Sequence, residues 1–378
     1  MHVSVRDQPR DRSRDNPIDM RRYVATVATL IIALGVPLAG AIVWLAYPFD
    51  AIITPAQLAA IQAQRPETVI LPVGLRYNGA FKLARAAEVQ PDIICFGSSR
   101  AGGFRAEMFA PRRFYNMSYT AWTTDQLLDS FDRTTRETRP RVAILELDYF
   151  LFADRWEQWF GTTRTMIYHQ PFRYAMASLG GFLRAAGADR APFAAYDSAT
   201  ATFIGPSSVL TKEGFRNDGS YAYSDAHVDY AQRSYRNAEF FVGTVPPDYA
   251  ISRRLQAPIV RLAALARQRG IRLIAVQLPM LRAGIDVLEK DASYHPRAGA
   301  WRDFESEQTR SWLSSLGIPL VDLARSPLDD DPDNFIDAIH LSERGMDHAM
   351  RELLADPNFR DAIDPAASST SGLPARRG

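Results

Sequence analysis

An aspartate and a histidine stand three residues apart, at Asp337 and His340, near the end of a long α/β pattern. A carboxylate that orients an imidazole, and an imidazole that takes a proton, are two of the three parts that a hydroxyl nucleophile needs. A third part is at hand far upstream, in Gly97-Ser98-Ser99-Arg100. Together the two segments can supply acyl chemistry, provided the fold brings them to one place.

The elements between them predict such a fold. The apolar runs 93–96, 142–147 and 271–278 do not alternate, which marks strands buried on both faces of a parallel sheet. A shorter run, 318–323, is a fourth candidate. Helical patterns separate them: 124–136 carries Leu127, Leu128 and Phe131, and 252–269 carries Leu255, Ile259, Val260, Leu262, Leu265 and Ala266 before the stop at Gly270. Further helices are expected at 304–316 and 342–354. Alternating strands and helices imply a three-layer, doubly wound, flavodoxin-like parallel sheet. Active sites of such sheets form at the carboxyl ends of the strands, where Gly97-Ser98-Ser99 lies.

Around this α/β domain, placed at 90–361, the chain reads as a series of accessories. Residues 1–22 are polar and expected to be disordered. Residues 49–89 are expected to form a stalk or linker with a helix at 55–61. Residues 150–250 are rich in Phe, Tyr and Trp and break the rhythm; they read as an insertion that caps or lines the site, or as a loop-rich extension packed on the core. Residues 362–378 are low in complexity and expected to be disordered.

Residues 23–48 read as a transmembrane signal anchor. No charged side chain occurs from residue 23 to residue 49, a run long enough for the roughly 20 apolar residues that a bilayer core requires. Pro37 is tolerated in such a span, and Tyr23, Trp44 and Tyr47 suit its interfaces. Arg6, Arg10, Arg12, Arg14, Arg21 and Arg22 precede the run, and the next basic residue is Arg65. The positive-inside rule then puts the N-terminus in the cytoplasm and the rest outside, which is the periplasm in a diderm bacterium. A net charge of +1 gives no reason to expect nucleic acid as a partner. The single cysteine, Cys95, lies in an apolar run and reads as a small core residue. The histidines 169, 227, 295 and 348 show no metal-ligand spacing, so no metal or other cofactor is expected.

On these motifs the region 90–355 resembles the SGNH, or GDSL-like, hydrolase superfamily. The resemblance places the nucleophile at Ser99, which closes a Gly-Ser-Ser motif after the first strand, and the acid and base at Asp337 and His340. It also implies an oxyanion hole built from the Ser99 N–H, a second motif and a third. The second motif is most similar to Phe114-Tyr115-Asn116-Met117-Ser118, with Ser118 at the glycine position. The third falls at Glu146-Leu147-Asp148-Tyr149, where the family's asparagine is replaced by Asp148. An ionised carboxylate cannot donate to an oxyanion. Asn116 or Arg100 would then substitute, or Asp148 would hold Arg100, or activity would be weak or lost. Ser98 is a further candidate for the site.

The Gly-Ser-Ser form behind one anchor looks most like the membrane-anchored envelope branch, whose members help O-acylate polymers, as in alginate acetylation and teichoic-acid alanylation. This implies a serine acyltransferase or esterase at the bacterial inner membrane. Its substrate would be a glycan or acylated polymer, and its partner a membrane-bound O-acyltransferase. The alternatives are a noncatalytic scaffold or glycan-binding protein of the same fold, and a detached lipase. The segment 216–220 reads as a turn that could contact substrate, and His295 as a loop residue that could line the site.

Overall fold

Strands form where the chain is apolar toward both sides, and helices where one face is. The computed structural model describes residues 20–46, 54–71, 78–160, 187, 196–197 and 200–364. The expected tails at 1–19 and 365–378, the interfacial Tyr47 and residues 161–186 of the insertion lie outside them. The chain divides into two units, Met1–Pro48 and Phe49–Gly378. In the first, α1 (Met20–Ala46) is a 27-residue helix containing Pro37. At 1.5 Å per residue it measures about 40 Å. By length and composition it is apolar enough to cross a membrane, with a mean hydropathy of 2.1 over an 18-residue window within Met20–Ala41.

The second unit runs through α2 (Pro55–Gln64), β1 (Val69–Ile70), α3 (Asn78–Val89), β2 (Ile93–Phe96), β3 (Phe114–Asn116), α4 (Thr124–Glu137), β4 (Val142–Glu146) and α5 (Asp154–Phe160). After residues outside the description come β5 (Phe203–Ile204), α6 (Pro206–Thr211), β6 (Gly214–Phe215), β7 (Tyr221–Ala222), α7 (Asp225–Ser234) and α8 (Ala238–Thr244). The chain closes with α9 (Arg253–Gln268), β8 (Arg272–Gln277), α10 (Arg282–Lys290), α11 (Gly299–Phe304), α12 (Glu307–Ser315), β9 (Leu320–Asp322), α13 (Glu343–Ala355) and α14 (Pro357–Ile363).

Five strands make one parallel sheet in the order β3-β2-β4-β8-β9. Among these five the sequence order is 2-1-3-4-5, the flavodoxin-like winding that the alternation of elements predicts. Because side chains alternate along a strand, each run serves two cores. Ile94, Phe96, Ala143, Leu145, Leu273 and Ala275 pack toward α3, α4 and α9 through Phe81, Phe131 and Leu262. Ile93, Cys95, Val142, Ile144, Ile274 and Val276 pack toward α13 and α14 through Met346, Leu353 and Phe359. Apolar demand from both faces explains why these runs do not alternate.

The winding direction reverses between β2 and β4, so their carboxyl ends diverge there and leave a crevice. Ser98, after β2, and Glu146, the last residue of β4, lie at this switch point. The expected helix at 304–316 is α12, which starts at Glu307 because the Ser306 hydroxyl caps it by accepting the Thr309 N–H at 3.3 Å, while Phe304 ends the separate α11.

The expected stalk is corrected. Leu58, Ala59, Ile70, Phe81 and Ala86 are fully buried in the first core. β1 pairs in parallel with β5 and antiparallel with β6, and β6 pairs with β7, so a second, four-stranded sheet joins residues 69–70 to the aromatic-rich insertion. The tail boundary also moves, since Ala362 and Ile363 are buried on α14. Short strands of two residues carry too little periodicity to be read from sequence.

Lys82 shows how firmly the segment is built in. It is fully buried, and its ammonium donates to the carbonyls of Asn116 (3.0 Å), Ser118 (2.6 Å) and Gly219 (2.8 Å) over the Phe215 ring. Burial pushes its pKa well below the usual lysine range, against the pull of Asp218. Lys82→Ala should leave these carbonyls without a donor and lower the unfolding free energy by at least about 3 kcal/mol in urea titrations. A stalk lysine would change it by less than about 0.5 kcal/mol.

Candidate active site

Ser99 begins a 3₁₀ turn, Ser99–Gly103, directly after β2. Its hydroxyl lies 2.8 Å from His340 Nε2. His340 Nδ1 lies 2.8 Å from Asp337 Oδ2. An ionised carboxylate only accepts, so Nδ1 carries the imidazole proton and Nε2 is left to accept from Ser99. The structure thus joins the three residues into one relay across the carboxyl edge of the sheet.

The loop that presents Asp337 and His340 is tied at several points. Phe335 and Leu341 form a bridge, the Ile336 N–H donates to His340 O at 2.9 Å, and the Ala338 N–H donates to Tyr235 O at 2.9 Å. Asp337 Oδ1 accepts the N–H groups of Ile339 and His340, both at 2.8 Å. The Asp337 side chain is only 10% exposed. Burial alone would raise its pKa, but the electrostatic pull of the adjacent His340 and these hydrogen bonds outweigh burial and hold it below the ordinary carboxylate range.

Arg100 and Asp148 form a buried ion pair. Arg100 Nε donates to Ile339 O at 2.9 Å, and one terminal nitrogen donates to Leu278 O and Pro279 O, each at 2.7 Å. Burial pushes the guanidinium pKa down, while Glu146, Tyr149 and Asp337 pull it back up. Of the roles open to Asp148, holding Arg100 is the one the geometry displays.

The expected substitute oxyanion donors are corrected. Asn116 Nδ2 is spent on Ala101 O (2.8 Å) and Phe104 O (2.9 Å). The Ser118 N–H is spent on Asn116 Oδ1 at 2.7 Å, and its buried hydroxyl has no partner among the described residues. Arg100 is committed as above. Asn116 Nδ2, the Ser118 N–H and the Arg100 guanidinium each satisfy a buried neighbour and so have no proton left for a substrate. The segment 216–220 is likewise structural, since Asp218 accepts the N–H groups of Ala106 and Ser220, and Asn217 accepts from Arg85. His295 Nδ1 binds Leu288 O at 2.7 Å.

Glu146 was missed by reasoning from sequence. Its Oε2 accepts the Ser98 N–H (2.8 Å) and the Ser98 hydroxyl (2.9 Å) across the crevice. Gly97 makes room for it, because a Cβ there would come within 2.6 Å of Glu146 Cβ. The available signal was an acid closing an otherwise apolar strand. A second missed group is Glu213, whose Oε1 lies 2.9 Å from His227 Nδ1.

No protein-family model and no curated protein matches the chain. Among solved structures it is similar to a candidate acylhydrolase from Bacteroides fragilis, at 15% identity and a TM-score of 0.36, over 74% of this chain and 94% of that one. It is also similar to a GDSL-like lipase from Bacteroides thetaiotaomicron, at 14% identity and a TM-score of 0.36, over 75% of this chain and 99% of that one.

The depressed pKa of Asp337 sets a pH dependence. Its contribution to stability is complete above the unfolded-state pKa of about 4 and is lost as pH falls through the lower folded value. The stability of the wild type relative to Asp337→Asn should therefore decline below about pH 4. Urea unfolding of both at pH 7 and pH 3 checks this, and a constant difference would contradict it.

Proposed function

We propose that the chain is a membrane-anchored serine esterase or acyltransferase of the SGNH type that acts outside the cytoplasm on an acylated cell-envelope polysaccharide. The observation that carries the chemistry is the unbroken relay from Ser99 through His340 to Asp337 at the carboxyl edge of the parallel sheet. The Gly-Ser-Ser and Asp-x-x-His motifs support the family reading. The length and apolarity of α1, with six arginines ahead of its uncharged run from residue 23, support the anchor and its orientation.

In the first half-reaction, Ser99 Oγ attacks the acyl carbonyl carbon and His340 Nε2 takes the hydroxyl proton. Asp337 holds the imidazole and stabilises its positive charge. The carbonyl electron pair returns, the C–O bond to the leaving group breaks, and Nε2 gives its proton to the departing oxygen. A second hydroxyl then attacks the acyl-enzyme, passing its proton to Nε2, and Ser99 leaves reprotonated. Water as acceptor makes the protein an esterase, and a sugar hydroxyl makes it a transferase. A membrane-bound O-acyltransferase as donor fits the transferase form.

One observation favours a noncatalytic scaffold: Asn116 Nδ2, the Ser118 N–H and the Arg100 guanidinium all have other obligations. The readings separate on the full-length chain in detergent with 4-nitrophenyl acetate. Wild type should turn it over, and Ser99→Ala or His340→Ala should lower kcat at least about 1,000-fold. Activity equal in all three would leave the scaffold reading standing.

A further inference from the structure

The strand β4 ends in Glu146, a carboxylate that is 0% exposed. A buried carboxylate is costly unless hydrogen-bond donors replace the solvent. Its Oε2 has two donors, both from Ser98, and its Oε1 has no partner among the described residues. The nearby cation, Arg100, pairs with Asp148 instead. Such a group is retained in the crevice wall at a cost in stability, so its effect on Ser98 is the feature to explain.

That effect propagates along three successive amides. The Ser98 N–H points to Glu146. The Ser98 hydroxyl proton also points to Glu146, so its oxygen is free to accept, and it accepts the Arg100 N–H at 3.2 Å. The Ser99 N–H, between them, opens the 3₁₀ turn, where a helical N–H has no intrahelical acceptor. Glu146 thus takes up the amide before Ser99 directly and the amide after it through the Ser98 hydroxyl, and the Ser99 N–H has no partner among the described residues. Asn116 Nδ2 and the Ser118 N–H are committed to the protein.

We infer that Glu146 is a positioning residue that acts through Ser98 to aim the Ser99 N–H at the oxyanion. This rests on Ser99 being the nucleophile. Glu146 touches no reacting atom. Its influence falls on the rate at which Ser99 is acylated, not on how much protein is folded.

The test reacts the full-length chain in detergent with a fluorophosphonate probe, reading the rate constant and the final stoichiometry by intact mass. Wild type should label at Ser99 to one probe per chain. Glu146→Ala should reach the same stoichiometry at a rate about 100-fold lower, the loss expected for a misdirected oxyanion donor. Glu146→Gln keeps an acceptor oxygen for Ser98 and should stay within about tenfold of wild type. A Glu146→Ala rate within about threefold of wild type overturns the inference. So does a loss confined to stoichiometry, which marks a merely structural role. Should Glu146→Ala not fold, Ser98→Ala cuts the hydroxyl link and should label about tenfold slower; an unchanged rate overturns the inference. A wild type that never labels overturns the nucleophile reading with it, whereas a labelled wild type with unaffected variants overturns this inference alone.

Discussion

The Arg100 guanidinium is where the carboxyl ends of three strands and the loop bearing Asp337 and His340 are joined, and the spacing of Ser99 from His340 depends on it. It is 3% exposed, so each of its donors needs an acceptor within the protein. Those acceptors come from Ile339, just ahead of His340, from Leu278 and Pro279 after β8, and from Asp148 after β4. Arg100 itself follows Ser99. The contact between Ser99 and His340 is therefore set by a neighbouring, fully desolvated bond between the residues beside them. Asp148 makes the arrangement electrically tolerable. An asparagine at that position would offer a substrate a donor but would leave the guanidinium without its counter-charge.

The sheet supplies the frame for this joint. Its reversal between β2 and β4 opens the crevice that Ser98 and Glu146 then bridge. Two cores, one on each face, fix the strands from both sides, so the carboxyl edge is a rigid base for short loops. The acid–base loop adds its own stiffness through Asp337, which accepts backbone donors with one oxygen and the imidazole with the other.

Much of this was legible in the sequence because it depends on local pattern. Runs such as 93–96 and 142–147 lack alternation since both faces are covered, and this gave the parallel sheet. Asp337 and His340 were legible because their function requires close spacing. What escaped depends on contacts between segments remote in the chain. Lys82 looks like any solvated lysine until Asn116, Ser118 and Gly219 bring their carbonyls to it. Glu146 looks like the polar end of a strand until Ser98 turns toward it. The donors of Asn116 and Ser118 looked free because a sequence does not display which buried acceptors they must satisfy.

The small sheet also constrains how the chain reaches its native state. β1 has no partner among the elements that follow it directly; its neighbours β5 and β6 arrive only after β2, β3 and β4 with all their connections. A chain made from its N-terminus must carry β1, with its buried Ile70, without its strand partners until then. Non-local pairing of this kind slows folding and lengthens the time during which such surface can meet other chains. Within the segment that looked like a passive spacer, β1 is thus late to gain its partners, and protecting it until β6 emerges is a demand that the fold places on the cell.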